Sequence, residues 1–176
     1  MLPDILTLLE SSFARHWITN KEIQEETIII TLKKDYIARF LSFIKEEKRF
    51  LFNQLTDIYT VDLQKTKKRF QISYNLLSIN LKTRIKINIY FGENESIPSI
   101  SEVFPNACWY EREIWDMFGI VFAHNPNLCR LINDSGFVWF PLRKDFPLKG
   151  FVSLKYSPKE EVFLYQTTKE DGGKHG

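Results

Sequence analysis

Residues 110–120 read YEREIWDMFGI and set two glutamates, an arginine and an aspartate into an aromatic and aliphatic run. Paired carboxylates are the groups of general acid–base chemistry, because their surroundings can drive their proton affinities apart. The spacing argues against that use. Glu111 and Glu113 stand two apart, and on a helix such residues point to different sides and cannot share a substrate atom. His16, His124 and His175 are scattered, with only His124 near the motif, and no nucleophile–base pair is suggested. The chain also lacks GxGxxG, P-loop, HExxH and GxSxG patterns. A buried ion network or a docking face for a larger partner remains.

A helix decides between the charges. With residues about 100° apart on a wheel, Tyr110, Ile114, Trp115, Met117 and Phe118 span one broad arc and Glu111 falls inside it. Arg112 and Asp116 take the far side, and Glu113 sits at the edge. Glu111 is therefore expected inside, where an unpaired carboxylate is costly and needs a donor or a cation. Arg130, Arg143 and Lys144 are the basic candidates, which predicts that the C-terminal segment packs back on this helix with charge pairs fixing its register. Arg112 and Asp116 are expected to be partly exposed or to face a partner.

The elements that must position this helix are legible in the pattern. Leu2–Trp17 has helical spacing, and TIIITL (27–32) is a β-branched run that predicts a strand. Residues 35–50 form a strongly amphipathic helix with Asp35 as its cap. LTDIYTVDL (55–63) reads as a strand. RFQISYNLLS (69–78) and TRIKINIYF (83–91) alternate with period 2 and form a hairpin in an antiparallel sheet. Ser99–Glu102 fits a capping box for a short helix ended by Pro105. The next helix runs over 109–118 and stops at Gly119. From Val121 the chain is turn-rich, with SLKY and EVFLYQ as short strand-like pieces and TTKEDGGKHG as a polar tail. The fold class is α+β: a small, mainly antiparallel sheet of about four strands with helices packed on it (1–120), plus an extended, irregular C-terminal arm (121–176) that packs on the domain and on partner subunits.

Composition excludes several classes. The chain has 176 residues and a net charge of +2, which demands neither nucleic acid nor an anionic membrane. KTKKRF (65–70) is the only basic cluster and reads as a solvated turn. No apolar run approaches the ~18 residues of a membrane span. The N-terminus has neither the basic start of a signal peptide nor the Arg-rich pattern of a transit peptide. Cys108 and Cys129 read as buried free thiols, too few for a cluster held by four thiolates. Aromatics make up 15% of residues, which suggests a dense core, an interface, or both.

Taken together, YEREIWDMFGI, NPNLCRLI and PLRKDFPLKG resemble the thirty-kilodalton subunit family of respiratory complex I, the NADH:ubiquinone oxidoreductase, and within it the mitochondrially encoded branch. Glu111, Arg112, Glu113, Asp116, Met117 and Phe118 fit the family's ERE block, and PLRKDFPL (141–148) fits a second block. VDLQKTKKRFQISYNLLS (61–78) looks like its earlier strand pair. This chain departs from the family where a His-Pro pair becomes Asn125-Pro126, two arginines become Cys129-Arg130, and Gly-His becomes Trp139-Phe140.

The resemblance implies a non-catalytic subunit of the peripheral arm, in the quinone-reducing module beside that module's large, forty-nine-kilodalton subunit. It implies no cofactor of its own, with FMN and iron–sulfur clusters in other subunits. It also implies a place on the matrix side of the mitochondrial inner membrane, or on the cytoplasmic side of a bacterial plasma membrane. The alternative is the same family in a plastid or cyanobacterial-type or a hydrogenase-type complex. Glu111, Arg112, Glu113, Asp116, Arg130, Arg143, Lys144 and Asp145 are the residues expected in a structural ion network and in subunit docking.

Overall fold

The alternating segments pair as their pattern requires. In the computed structural model, which describes residues 2–25, 27–64, 67–147 and 152–167, strand β4 (Phe70–Ser78) lies antiparallel to β5 (Thr83–Phe91). Their register sets Phe70 opposite Phe91, Ile72 opposite Ile89, Tyr74 opposite Ile87 and Leu76 opposite Ile85, all buried on one face. Such cross-strand apolar pairs are what stabilise a sheet. On the other face Ser73 Oγ donates to Asn88 Oδ1 at 2.7 Å.

Three further strands complete the sheet. Strand β3 (Gln54–Asp62) pairs antiparallel with β4, and β2 (Thr27–Leu32) pairs parallel with β5. Strand β1 (Ile18–Gln24) adds an antiparallel edge, giving the order β1-β2-β5-β4-β3. Helix α1 (Leu2–Ser11) contributes Ile5 and Leu9 to the core. Helix α2 (Ile37–Glu46) contributes Ile37, Phe40, Leu41 and Ile44.

Several local expectations are corrected. The first helix does not reach Trp17: it ends at Ser11, the Ser12 hydroxyl donates to the Leu9 carbonyl, and Phe13–Trp17 is a 3-10 turn. The sheet has five strands rather than about four. Asp35 sits in a 3-10 turn, and no side chain caps α2. Ser99–Glu102 opens no helix; it forms turns instead, with its first hydroxyl engaged elsewhere. Lys65, Thr66, the stretch 148–151 and the tail 168–176 lie outside the described residues.

Helix α3 (Ala107–Phe118) carries the ERE block. It ends on Gly119, whose φ of 73° is left-handed and whose N–H donates to the Trp115 carbonyl. The helix is bracketed by a short parallel ribbon of β6 (Ile97–Pro98) and β7 (Phe122–Ala123). Beyond β7 the arm runs to Pro147 without a helix or strand. The two later strand-like pieces pair as a separate hairpin, β8 (Val152–Ser157) and β9 (Val162–Thr167). Tyr156, Val162, Phe163 and Leu164 of this hairpin are exposed.

Candidate docking site

Two carboxylates on α3 hold the surrounding chain, and both are 0% exposed. Glu111 is inside, as the wheel predicts. None of the predicted cations reaches it. The Ser99 hydroxyl donates to Oε2 at 2.6 Å, the Ile100 N–H to Oε1 at 2.8 Å and the Asn125 side-chain amide to Oε2 at 2.7 Å. Burial pushes this carboxyl above the usual range, and the three neutral donors only partly offset that.

Asp116 is the larger correction. It is buried rather than partly exposed, because the arm covers the face of α3 that the wheel leaves open to solvent. Arg130 Nη1 donates to Oδ1 at 2.8 Å and to the Asp116 carbonyl at 2.9 Å. The N–H groups of Leu131, Ile132 and Asn133 all converge on Oδ2, at 3.1, 2.7 and 3.0 Å. Burial alone would raise this carboxyl, but Arg130 and the Asn133 and Ile132 N–H groups hold it well below the usual range. Arg112 is half-buried and clamps the same stretch, donating to the Cys129 and Arg130 carbonyls at 3.2 and 2.8 Å. Glu113 is exposed.

The second sequence block anchors elsewhere. Arg143 donates through Nε to the Phe118 carbonyl, and the Leu142 N–H donates to the Met117 carbonyl at 3.2 Å. These are last-turn carbonyls of α3, which a helix leaves without an internal partner. Arg143 also pairs with Glu93 at 2.7 Å. Arg69 then joins Asp62 at 2.9 Å, Glu93 at 2.9 Å and Asp145 at 2.8 Å, and the Lys144 N–H donates to Asp62 at 3.0 Å. Asp145 thus belongs to an ion cluster with Arg69, while Lys144 enters through its backbone.

Asp62, Arg69, Glu93, Ser99 and Asn125 were missed by sequence reasoning. The parity of β3 held the signal for Asp62, which shares the inward side with Ile58.

Among the described residues, these contacts tie the arm and the β6–β7 ribbon to α3. Among the described residues, no group of three or more His, Cys, Asp or Glu is placed to hold a metal ion. The cysteines are free, but Cys108 is only partly buried and Cys129 is exposed. Lys67 and Lys68 of the basic turn are exposed.

Residues 30–152 match the family described as respiratory-chain NADH dehydrogenase, 30 Kd subunit. The chain belongs to this family. A NADH-quinone oxidoreductase subunit from Rickettsia bellii is 40% identical over 147 residues, covering 84% of this chain and 75% of the relative. The NADH dehydrogenase (ubiquinone) iron-sulfur protein 3 of Beta trigyna is likewise 40% identical over 147 residues, covering 84% and 77%. An archaeal membrane-bound sulfane sulfur reductase contains a chain of the same fold, with a TM-score of 0.70 at 23% identity, covering 84% of this chain and 85% of that one.

Three of the positions where the sequence pattern departs from the resembled blocks make contacts within the chain. Asn125, in place of the histidine, supplies an amide donor to Glu111. The Cys129 backbone carbonyl accepts from Arg112. Phe140 lies between two guanidinium groups, 5.2 Å from Arg130 and 4.8 Å from Arg143. It also packs on Gly119, where an added Cβ would come within 2.5 Å of its ring. Arg130 continues the stack onto Trp115 at 5.1 Å, and Arg143 onto Phe70 at 5.5 Å. Alternating aromatic rings and guanidinium groups therefore run from α3 to β4, each contact attractive through the ring quadrupole.

Proposed function

We propose that the chain is a non-catalytic core subunit of the peripheral arm of a proton-translocating NADH:ubiquinone oxidoreductase, in the quinone-reducing module, docked chiefly on that module's forty-nine-kilodalton subunit. The observation that carries this reading is the family match over residues 30–152, which spans β3, β4, β5, α3 and both arm anchors. Electron carriers, FMN and iron–sulfur clusters, then reside in other subunits. This chain supports their assembly and the transfer of electrons from NADH to ubiquinone.

The surface supports a docking role. Trp109 is 61% exposed with the Arg112 guanidinium 5.2 Å from its ring. Ile132, Val138 and Leu142 on the arm are more than half exposed. Tryptophan and arginine are residue types enriched in interface hot spots. Among the described residues no helix is long and apolar enough to cross a membrane. The chain then reaches the membrane through the complex.

A place on the matrix side of the mitochondrial inner membrane is supported by the relative from Beta trigyna. The bacterial relatives favour the second reading, the cytoplasmic side of a plasma membrane. The test is native electrophoresis of gently solubilised membranes, stained for NADH oxidation, with mass spectrometry to locate the chain. It is expected in a large NADH-oxidising band. Migration with a different assembly keeps the family and overturns the NADH:ubiquinone reading.

A further inference from the structure

Glu111 closes a loop of structure. Ser99 follows β6 and Asn125 follows β7, so both strands of the ribbon end on the same buried carboxyl. Ser99 Oγ stands 2.6 Å from Glu111 Oε2 and 2.8 Å from Ser101 Oγ. A continuous chain of hydroxyls thus leads from the buried group to Ser101, which is only partly buried.

The other groups around it are neutral or engaged. From β4 comes Tyr74, fully buried, whose Oη has no hydrogen-bond partner among the described residues and whose phenol is pushed well above its usual range by burial and by Glu111. The turn after β6 presents Ser99 and Ser101, followed by exposed Glu102. Beyond β7, Asn125 is flanked by exposed His124. On α3 itself, Cys108 bonds Asn125 and Arg112 bonds the arm carbonyls, while Asp116 is matched by Arg130. Among the described residues no cation bonds the Glu111 carboxyl.

We propose that Glu111 is a proton-operated clasp, loaded and unloaded through Ser99 and Ser101, that couples closure of the β6–β7 ribbon on α3 to pH. In loading, Ser101 takes a proton from a solvent hydronium ion, which becomes water, and passes its own to Ser99, which gives its own to Glu111 Oε2. Both hydroxyls are regenerated with their hydrogen bonds reversed, and the carboxylate becomes a neutral acid. Ionised, the carboxylate has lost its water without gaining a counter-ion; protonated, it donates to Ser99 and still accepts from the Ile100 N–H without that cost. The folded chain therefore holds this proton more tightly than the unfolded chain. Stability contributed by the clasp falls as pH rises from the ordinary carboxylate range through the raised folded value.

Difference infrared spectra of the full chain, titrated from acid to neutral pH, read the carboxylic C=O stretch directly. Thermal unfolding over the same range reads its consequence. The expected result is one carboxylic band that survives above the ordinary carboxylate range and is absent from Glu111→Gln. The unfolding midpoint of the unaltered chain should carry a fall with pH that Glu111→Gln lacks. Ser99→Ala removes a donor to the charged form, so the band should persist to higher pH. The proposal is overturned by the absence of any such band, by its survival in Glu111→Gln, or by an unmoved titration in Ser99→Ala.

Discussion

Glu111 and Asp116 sit five residues apart on one helix, and both are completely buried, yet their environments act in opposite directions. Asp116 meets a guanidinium and three converging backbone N–H groups. Glu111 meets one backbone N–H, a hydroxyl and an amide. Neither carboxylate meets solvent, but Glu111 lies deeper, and Asp116 has the larger supply of positive charge and of donors. Zero exposure alone therefore does not set the charge of a carboxylate; its depth and its partners set it together. The Asp116 side fixes the arm electrostatically, whereas the Glu111 side fixes the ribbon by shape and neutral hydrogen bonds.

The sharpest way to break that contrast is to remove Asp116. Asp116→Ala strands Arg130 and three N–H groups and is expected to cost about 3–5 kcal/mol, the range for breaking a buried ion pair from one side, read by denaturant unfolding of the full chain. Gly119→Ala comes next. Positive φ and contact with Phe140 together are expected to cost about 2 kcal/mol, and in a Phe140→Ala background the same change should cost about half as much. Equal costs in both backgrounds would show that the ring does not press on Gly119.

The pH profiles should then diverge. The folded-state value of Asp116 is depressed, so its contribution is full above the ordinary carboxylate range and is lost as pH falls towards that folded value. Asp116→Asn should flatten the acid limb of stability and leave the limb set by Glu111. The smallest effect is expected from Glu111→Gln, within about 1 kcal/mol near neutral pH, because the amide replaces a group that gains little from being charged there. A loss as large as that of Asp116→Ala would put a hidden cation at Glu111.

The sequence made the sheet interior legible where alternation was clean. Strands β4 and β5 and their hairpin follow from Phe70, Ile72, Tyr74 and Leu76 set against Ile85, Ile87, Ile89 and Phe91. Strand β1 was missed because ITNKEIQ is an edge strand exposed along almost all its length and shows no apolar period. The end of α3 at Gly119 was readable, and so was the burial of Glu111. Its partners were not, since Ser99 and Asn125 are small polar residues far along the chain that a search for cations passes over. Asp116 was misjudged for a geometric reason: a wheel ranks one helix against one core, whereas α3 is covered on opposite sides by the sheet and the arm.

The β8–β9 hairpin bears on the life of the chain before assembly. Val162, Phe163 and Leu164 follow one another in a strand, so their side chains leave both faces, and all three are exposed. An isolated two-stranded hairpin is marginal in water, and exposed apolar strand edges invite pairing with other chains. A newly made copy therefore carries a sticky surface. Its concentration in the free state has to be kept low, by rapid incorporation, by a chaperone's grip or by proteolysis of the surplus. Synthesis in step with its neighbours thereby becomes a requirement written into one short hairpin of the protein.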